Sequence, residues 1–128
     1  MKLVYVAGAY TSPTYLGVEA NIAAAREACA VLAGMGIAYL SPHQNSAHME
    51  VIAPDVPPEF WYEMTMEMLR RSDAILLLPN WTKSHGAQQE DEEAHRLGLP
   101  KFVYGFGLSS DLHRLRDWYR LPRSEVQG

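Results

Sequence analysis

Short apolar runs alternate along the chain with longer segments in which apolar residues recur every three or four positions. The short runs are rich in β-branched and aromatic residues and end at glycine or proline, which is typical of buried strands. They predict four strands, at residues 2–7, 37–42, 73–79 and 101–105.

The longer segments predict four helices. The first helix covers residues 18–35 and is ended by the glycines at 34 and 36. Its apolar stripe consists of Ile22, Ala25, Cys29 and Leu32. The second begins near Pro58, and one of its faces is lined by Trp61, Met64 and Met68. The third covers residues 86–97 and the last 109–121, with Ser109 or Ser110 as its cap and a frayed tail after Pro122.

Strands that alternate with helices indicate a parallel α/β sheet with right-handed crossovers. We expect a flavodoxin-like three-layer sandwich with four to five strands in the order 2-1-3-4(-5). The 128 residues suffice for one domain, 1–128, whose core needs no disulfide or structural metal.

Composition narrows the class of protein. The net charge is −4 and neither sign forms a long run, which argues against a nucleic-acid partner. No segment approaches the ~20 apolar residues of a membrane span, and the first ten residues lack the pattern of a signal peptide. Cys29 is the lone cysteine and is expected to be buried, which fits a reducing cytoplasm.

In an open parallel sheet, ligands bind beyond the carboxyl ends of the strands where the strand order reverses, here between strands one and three. The loops that meet there begin at Gly8 and at Pro79. Beside them lies a long loop without hydrophobic period, residues 43–58. Loops of this length in a small domain often carry functional residues.

Glu90 is the residue of these segments that stands out. Helical spacing predicts an inward stripe of Ala87, Glu90, Ala94 and Leu97, whereas Glu92 and Glu93 point elsewhere. An inward carboxylate must be hydrogen-bonded in a polar pocket or raised in pKa, and both suit catalysis. The simpler alternative is an acid placed in the first turns by the helix dipole.

Other residues near the same edge are weaker candidates. Gly8 and Gly86 permit close approach of a ligand, and Ser84 with the amides after it could hold an anion. Tyr5 is either a structural aromatic or a hydroxyl aimed at the crevice. His43, His48 and His85 lack the compact spacing of zinc ligands, so no metal is predicted. The GxSxG, GxGxxG and GxxxxGK[ST] motifs are absent, and no cofactor is predicted.

Three segments, "VYVAGAY", "SDAILLLPNW" and "SHGAQQEDEEAHRLGLP", resemble the nucleoside 2-deoxyribosyltransferase-like superfamily. The resemblance covers residues 2–104. Its most specific part is the spacing Ser-x-Gly-Ala-x-x-Glu-x-x-x-Ala followed by Gly and Pro. The branch that it resembles most comprises uncharacterised bacterial and phage proteins with an LPGW…SxGAxxE pattern.

The resemblance implies that Glu90 is a nucleophile that attacks the anomeric carbon, that Tyr5 lies beside it, and that Gln44 contacts the base. It also implies a homo-oligomer, for which Trp118 and Tyr119 could form an interface. The substrate-binding residues expected in the surrounding loops and the second helix are Gly8, Ala9, Tyr10, Gln44, Thr65, Trp81, Ser84 and Gly86.

Two positions separate this chain from parts of that superfamily. Six residues before the nucleophile, transferases of free nucleosides tend to have Asp, whereas hydrolases of deoxynucleoside 5′-monophosphates resemble this chain in having Ser84. The second helix usually carries an Asp where Thr65 stands here, and threonine cannot act as an acid. Candidates to replace that acid are Asp55, Glu67, His43 and His85.

Three functions therefore stay open. The first is cleavage or transfer of the N-glycosidic bond of a nucleoside or its 5′-monophosphate. The second is a non-catalytic nucleotide-binding module, which the exchange to Thr65 favours. The third is a phosphoribohydrolase of the "PGGxGTxxE" kind, whose glycine pair is replaced here by Asn80 and Trp81.

Overall fold

A computed structural model describes residues 1–105 and 110–122. The strands are β1 (Val4–Ala7), β2 (Tyr39–Leu40), β3 (Ala74–Leu77) and β4 (Lys101–Val103). The helices are α1 (Tyr15–Gly34), α2 (Pro42–Ser46), α3 (Met49–Ile52), α4 (Pro58–Arg70), α5 (His85–Arg96) and α6 (Ser110–Arg120), with a 3-10 turn at Trp81–Lys83.

In the described part of the chain, the four strands form one parallel sheet in the order β2-β1-β3-β4. Val4 pairs with Tyr39 on one side and with Ala74 on the other, and Ile75 pairs with Lys101. The predicted α/β class and strand order are therefore confirmed. The reversal between β1 and β3 places their carboxyl ends side by side, where the site was expected.

The two faces of the sheet carry separate apolar clusters, which explains why β1 and β3 are apolar at every position. One cluster joins Val4 and Val6 to α1 and to Leu115 of α6. The other joins Tyr5 and Ala7 to α4 and to Ala94 of α5. The sheet is thus the middle of three layers.

Helix α1 follows its predicted stripe, because Ile22, Ala25, Cys29 and Leu32 are all buried. It begins at Tyr15, three residues earlier than predicted. The side chain of Thr14 accepts a hydrogen bond from the amide of Gly17 and so caps an additional turn.

The predicted stripe of α4 is not its most buried side, although Trp61 and Thr65 do face the cavity. Its buried residues are Met66 and Leu69, whereas Trp61, Met64 and Met68 are half-buried. Large apolar side chains occur all around this helix, because one flank packs on the sheet and another borders a cavity. Periodicity therefore cannot identify the core face.

The predicted loop at 43–58 contains the two short helices α2 and α3. Ser41 caps α2, and Pro42 stands in its first turn. His48 joins the two helices in the left-handed conformation, with φ of 63°. Helices of five and four residues are too short to show an apolar period, so the sequence pattern did not predict them.

Helix α6 packs on the sheet beside β4 and β1. Trp118 lies against Phe102, with ring centroids 5.7 Å apart. Tyr119 accepts a hydrogen bond from the amide of Ala38 and donates one to the carbonyl of Lys2. These aromatics are half-buried against the core, so the expectation that they are exposed is corrected, and the homo-oligomer stays a prediction. The proposed cap Ser109 and the tail after Pro122 lie outside the described residues, as does the side chain of Ser110.

Across the residues that the structure describes, every helix is too short or too polar to span a lipid bilayer.

Candidate active site

The base of the site is Glu90 of α5, which is hydrogen-bonded from beneath by Tyr5 of β1. The Tyr5 hydroxyl donates a hydrogen bond to Oε2 of Glu90. The tyrosine ring is fully buried, so the sheet fixes the position of its hydroxyl. Periodicity predicted that Glu90 turns toward the sheet, and this contact confirms that orientation.

The local sequence explains how α5 holds Glu90 there. Ser84 caps the helix, because its hydroxyl accepts a hydrogen bond from the amide of Ala87 at 3.1 Å. Ala87 and Ala94 are buried one turn before and one turn after Glu90, and their small side chains let the helix approach the sheet. Leu97 is 36% exposed, so the predicted stripe ends at Ala94.

The other acids of α5 differ from Glu90. Glu92 is exposed, as predicted. Glu93 is not a freely solvated acid, because its carboxylate binds Arg70 of α4 at 3.0 Å and Arg96 at 2.7 Å. These hydrogen bonds and charges lower the pKa of Glu93 to about 2. Glu93 thus ties α5 to α4, while Glu90 faces the site.

Burial raises the pKa of Glu90 to about 7, and the hydrogen bond from Tyr5 opposes this rise. Burial, followed by the charge and hydrogen bond of Glu90, holds the pKa of Tyr5 well above its usual range. The hydroxyl therefore stays protonated and remains a donor. Glu90 changes its charge near neutral pH, as a catalytic carboxylate can.

Glu90 opens into a cavity of about 570 Å³, which has the size of a small-molecule site. Aromatic side chains from the loop after β1 and from α4 contribute to its walls. The N-terminal residues of α5 line the side next to Glu90. Of the predicted site residues, those that line the cavity are Gly8, Tyr10, Thr65, Ser84, Gly86 and Glu90. Tyr5 is absent from the lining, because it lies beneath Glu90 and contacts the site through that carboxylate.

The loop after β1 is held from both sides. The amide of Ala9 donates to the side chain of Asn80 at 3.0 Å, and Asn80 in turn donates to Asn21 of α1. Asn21 donates to the carbonyl of Tyr10 at 3.0 Å. Ala9 thus positions the loop through its backbone and is absent from the cavity lining, which corrects its prediction as a substrate contact.

Gly8 is required by packing as well as by the cavity. A methyl group at this position would lie 2.6 Å from a terminal carbon of Leu78, closer than carbon atoms approach. The group that approaches Gly8 in the structure is thus a side chain of the protein, and the close approach of a ligand stays a prediction.

The structure does not bring Gln44 and Trp81 into the cavity. Gln44 is exposed on α2 and accepts a hydrogen bond from Arg26 at 3.3 Å, because the inward position of this short helix is taken by His43. Trp81 packs against the cluster beneath α4 and α5, with the ammonium of Lys101 5.2 Å from its ring centroid. Both predicted contacts are corrected.

Of the four groups considered as replacements for the missing acid, only His43 lines the cavity. Its Nε2 lies 2.8 Å from the carbonyl oxygen of Ala9. Burial lowers the pKa of His43, so the imidazole is neutral at neutral pH and a poor acid. Asp55, Glu67 and His85 are exposed side chains outside the cavity lining.

Thr65 lines the cavity close to Tyr5, and its side chain forms a hydrogen bond that lowers the pKa of the tyrosine. The single proton of its hydroxyl is donated to the carbonyl of Tyr62 at 2.9 Å in this structure. Thr65 therefore occupies the position expected from the sequence, beside the Tyr5 hydroxyl.

Sequence reasoning missed Glu50 of α3, which lines the cavity. The Tyr10 hydroxyl donates to its two carboxylate oxygens at 2.8 and 3.0 Å. The length of the loop at 43–58 did indicate function, but no period singles out Glu50 within it. Among the described residues, no cluster of three or more His, Cys, Asp or Glu side chains could hold a metal ion.

With a parallel sheet of order 2-1-3-4 between helical layers, the chain has the flavodoxin-like fold of the nucleoside deoxyribosyltransferases. Its structure is similar to that of a 2-deoxyribosyltransferase from Bacillus psychrosaccharolyticus. The TM-score is 0.58 and the sequence identity 17%, with 97% of this chain and 95% of that chain covered.

The chain belongs to the family described as a domain of unknown function, DUF4406, whose model matches residues 2–103. The matched region includes Tyr5, Glu50 and Glu90. No curated protein matches the sequence. The resemblance to the deoxyribosyltransferase superfamily is thereby supported at the level of the fold, and the narrower branch stays a prediction.

Proposed function

We propose that this protein cleaves the N-glycosidic bond of a nucleoside, or of its 5′-monophosphate, through a glycosyl-enzyme intermediate on Glu90. The observation that carries the proposal is the carboxylate of Glu90, hydrogen-bonded by Tyr5 at the floor of the cavity. The fold shared with a 2-deoxyribosyltransferase supports it. A cavity with aromatic walls suits a planar base.

The first step uses the ionised form of Glu90. A carboxylate oxygen attacks the anomeric carbon as the carbon–nitrogen bond breaks, and the bonding electrons leave with the base. Positive charge develops on the sugar in the transition state, and the carboxylate of Glu90 stabilises it. Tyr5 keeps the carboxylate in one orientation and cannot itself take over the charge, because its pKa is raised.

The second step releases the sugar. If water attacks the glycosyl ester, the products are free sugar and the regenerated Glu90, and the protein is a hydrolase. If a second base attacks, the product is a new nucleoside, and the protein is a transferase. The departing base must gain a proton, and Thr65 cannot supply it as an acid would.

The proposal is tested by incubating the protein with 2′-deoxynucleosides and their 5′-monophosphates, with and without an acceptor base, and separating the products by chromatography. We expect free base from at least one substrate. Glu90→Gln removes the nucleophile and should lower kcat/KM at least about a thousandfold. Glu92→Gln is the matched control, because Glu92 lies on the same helix but is exposed.

Base release at an undiminished rate by Glu90→Gln would overturn the proposed nucleophile. A second candidate function, nucleotide binding without catalysis, is favoured by Thr65 in place of an acid. It predicts that calorimetry detects nucleotide binding while the wild-type protein releases no base from any substrate.

A further inference from the structure

A second carboxylate faces the cavity, and the structure holds it in place. Glu50 lies on α3, the four-residue helix after His48. The Tyr10 hydroxyl donates to both of its oxygens, and the same hydroxyl oxygen accepts the amide of His48 at 2.8 Å. Glu50 is exposed to the solvent of the cavity mouth, so its remaining lone pairs are free to accept hydrogen bonds from a ligand.

The position of Tyr10 is itself fixed. Its backbone carbonyl accepts a hydrogen bond from Asn21, and its ring meets the buried ring of His43 edge-on, with centroids 5.7 Å apart. A chain of contacts thus runs from α1 through Tyr10 to the carboxylate. An exposed glutamate is ordinarily mobile, and this one is oriented.

The charges of the cavity lining are uniformly negative. Glu50 and Glu90 are its acids, and no lysine or arginine of the described residues lines it. His43 lines the cavity, but burial lowers its pKa and keeps it neutral. The ring of His48, which precedes α3, pairs with Glu19 at 2.6 Å. The Ser84 hydroxyl accepts a hydrogen bond from Ala87 and keeps its own proton as a single neutral donor. A phosphate dianion would therefore meet this hydroxyl, helix amides and two carboxylates, without a cationic side chain to balance it.

We propose that Glu50 is the residue that determines substrate specificity in this cavity. It accepts a hydrogen bond from a neutral donor of the substrate, a sugar hydroxyl or an amino group of the base, and it disfavours a 5′-phosphate by repulsion. The preferred substrate class is then the uncharged nucleoside. This inference rests on the proposed function, and it reverses the preference for 5′-monophosphates that Ser84 alone suggests.

The test compares wild type, Glu50→Gln and Glu63→Gln with the four common 2′-deoxynucleosides and their 5′-monophosphates. Glu63 is the control, because it is an exposed acid of α4 outside the cavity lining. We expect the wild type to prefer the nucleosides in kcat/KM by at least about tenfold. Glu50→Gln should lower kcat/KM for nucleosides and reduce the ratio of kcat/KM between nucleosides and monophosphates by about tenfold. Glu63→Gln should change neither kcat/KM nor this ratio.

Calorimetric titration of the same proteins with the same compounds gives a readout that does not require turnover. Tighter binding of nucleosides than of monophosphates, lost in Glu50→Gln, supports the proposal. A wild type that prefers monophosphates overturns it, as does a Glu50→Gln protein with unchanged preference, or a protein that binds neither class. Absence of base release with the predicted binding preference would refute the proposed catalysis and leave the role of Glu50 intact.

Discussion

At the scale of single residues, the chemistry depends on one hydrogen-bonded pair, Tyr5 and Glu90. Glu90 is held at a pKa of about 7 by burial, and the hydrogen bond from Tyr5 keeps this pKa from rising further. Tyr5 remains protonated, so the pair carries at most one negative charge. The geometry and the charge state both follow from placing a carboxylate against a parallel sheet at the end of a strand.

The rate of base release should depend on pH through Glu90. The nucleophile is the ionised carboxylate, so kcat/KM should rise with pH through about 7 and then level. In Tyr5→Phe, the hydrogen bond that lowers the pKa of Glu90 is lost. The midpoint of the rise in kcat/KM should then move to higher pH, and the plateau value of kcat/KM should fall.

The measurement is kcat/KM against pH for wild type and Tyr5→Phe, with Tyr62→Phe as a control that removes a hydroxyl from the cavity wall without touching the pair. A wild-type rate that falls as pH rises from 6 to 8 would contradict the assignment of Glu90 as an ionised nucleophile.

The sequence predicted Glu90 because a single polar residue interrupted an otherwise apolar helical stripe. It could not predict Glu50, because a helix of four residues is too short to show an apolar stripe in which a polar residue would stand out. Gln44 was predicted to contact the substrate, and this failed for a related reason. On α2 the neighbouring residues His43 and Gln44 point to opposite sides, and His43 is the one that faces inward. Site residues on long regular elements were therefore predictable, and those on short helices were not.

At the scale of elements, helix starts decide where the site residues stand. Thr14 caps α1 and Ser84 caps α5. Each side chain accepts a hydrogen bond from the backbone amide of the residue three positions later. Apolar patterning predicted the positions of the strands and most helices, but it did not identify the most buried side of α4. That helix borders both the sheet and the cavity, so its apolar residues surround it.

Removal of either cap should cost similar stability and have different effects on activity. Thr14→Ala and Ser84→Ala should each lower the free energy of unfolding by about 1 kcal/mol. Fraying of α5 displaces Glu90, so Ser84→Ala should also lower kcat/KM, whereas Thr14→Ala should leave it within about twofold. Urea unfolding and the base-release assay measure the two effects.

Equal loss of activity in both cap variants would show that general destabilisation, rather than the start of α5, controls the site. Because Ser84 also lines the cavity, Ser84→Thr provides a further check. It retains a capping hydroxyl and should recover most of the stability.

At the scale of the whole molecule, the raised pKa of Glu90 lowers the free energy of unfolding at neutral pH. Below pH 4.5 Glu90 is protonated in the folded and the unfolded chain alike. Between 4.5 and about 7 the unfolded chain ionises first, so stability falls as pH rises. The loss amounts to at most about 3 kcal/mol above pH 7, from 1.36 kcal/mol for each pKa unit.

Glu90→Gln carries no charge at any pH and should escape this loss. Its free energy of unfolding should exceed that of the wild type by up to about 3 kcal/mol at pH 8, and the difference should shrink toward pH 4.5. Urea unfolding at several pH values measures it, with Glu92→Gln as the exposed control. Parallel curves for Glu90→Gln and wild type would contradict the raised pKa.

The most direct test of the central claim is mass spectrometry of the protein quenched in acid during turnover of a 2′-deoxynucleoside. If Glu90 is the nucleophile, the peptide that contains it should carry a deoxyribosyl adduct, and fragmentation should place that adduct on Glu90. Glu90→Gln should show no adduct at this peptide. Base release by the wild type with the deoxyribosyl group on another residue, or undiminished release by Glu90→Gln, would contradict the account.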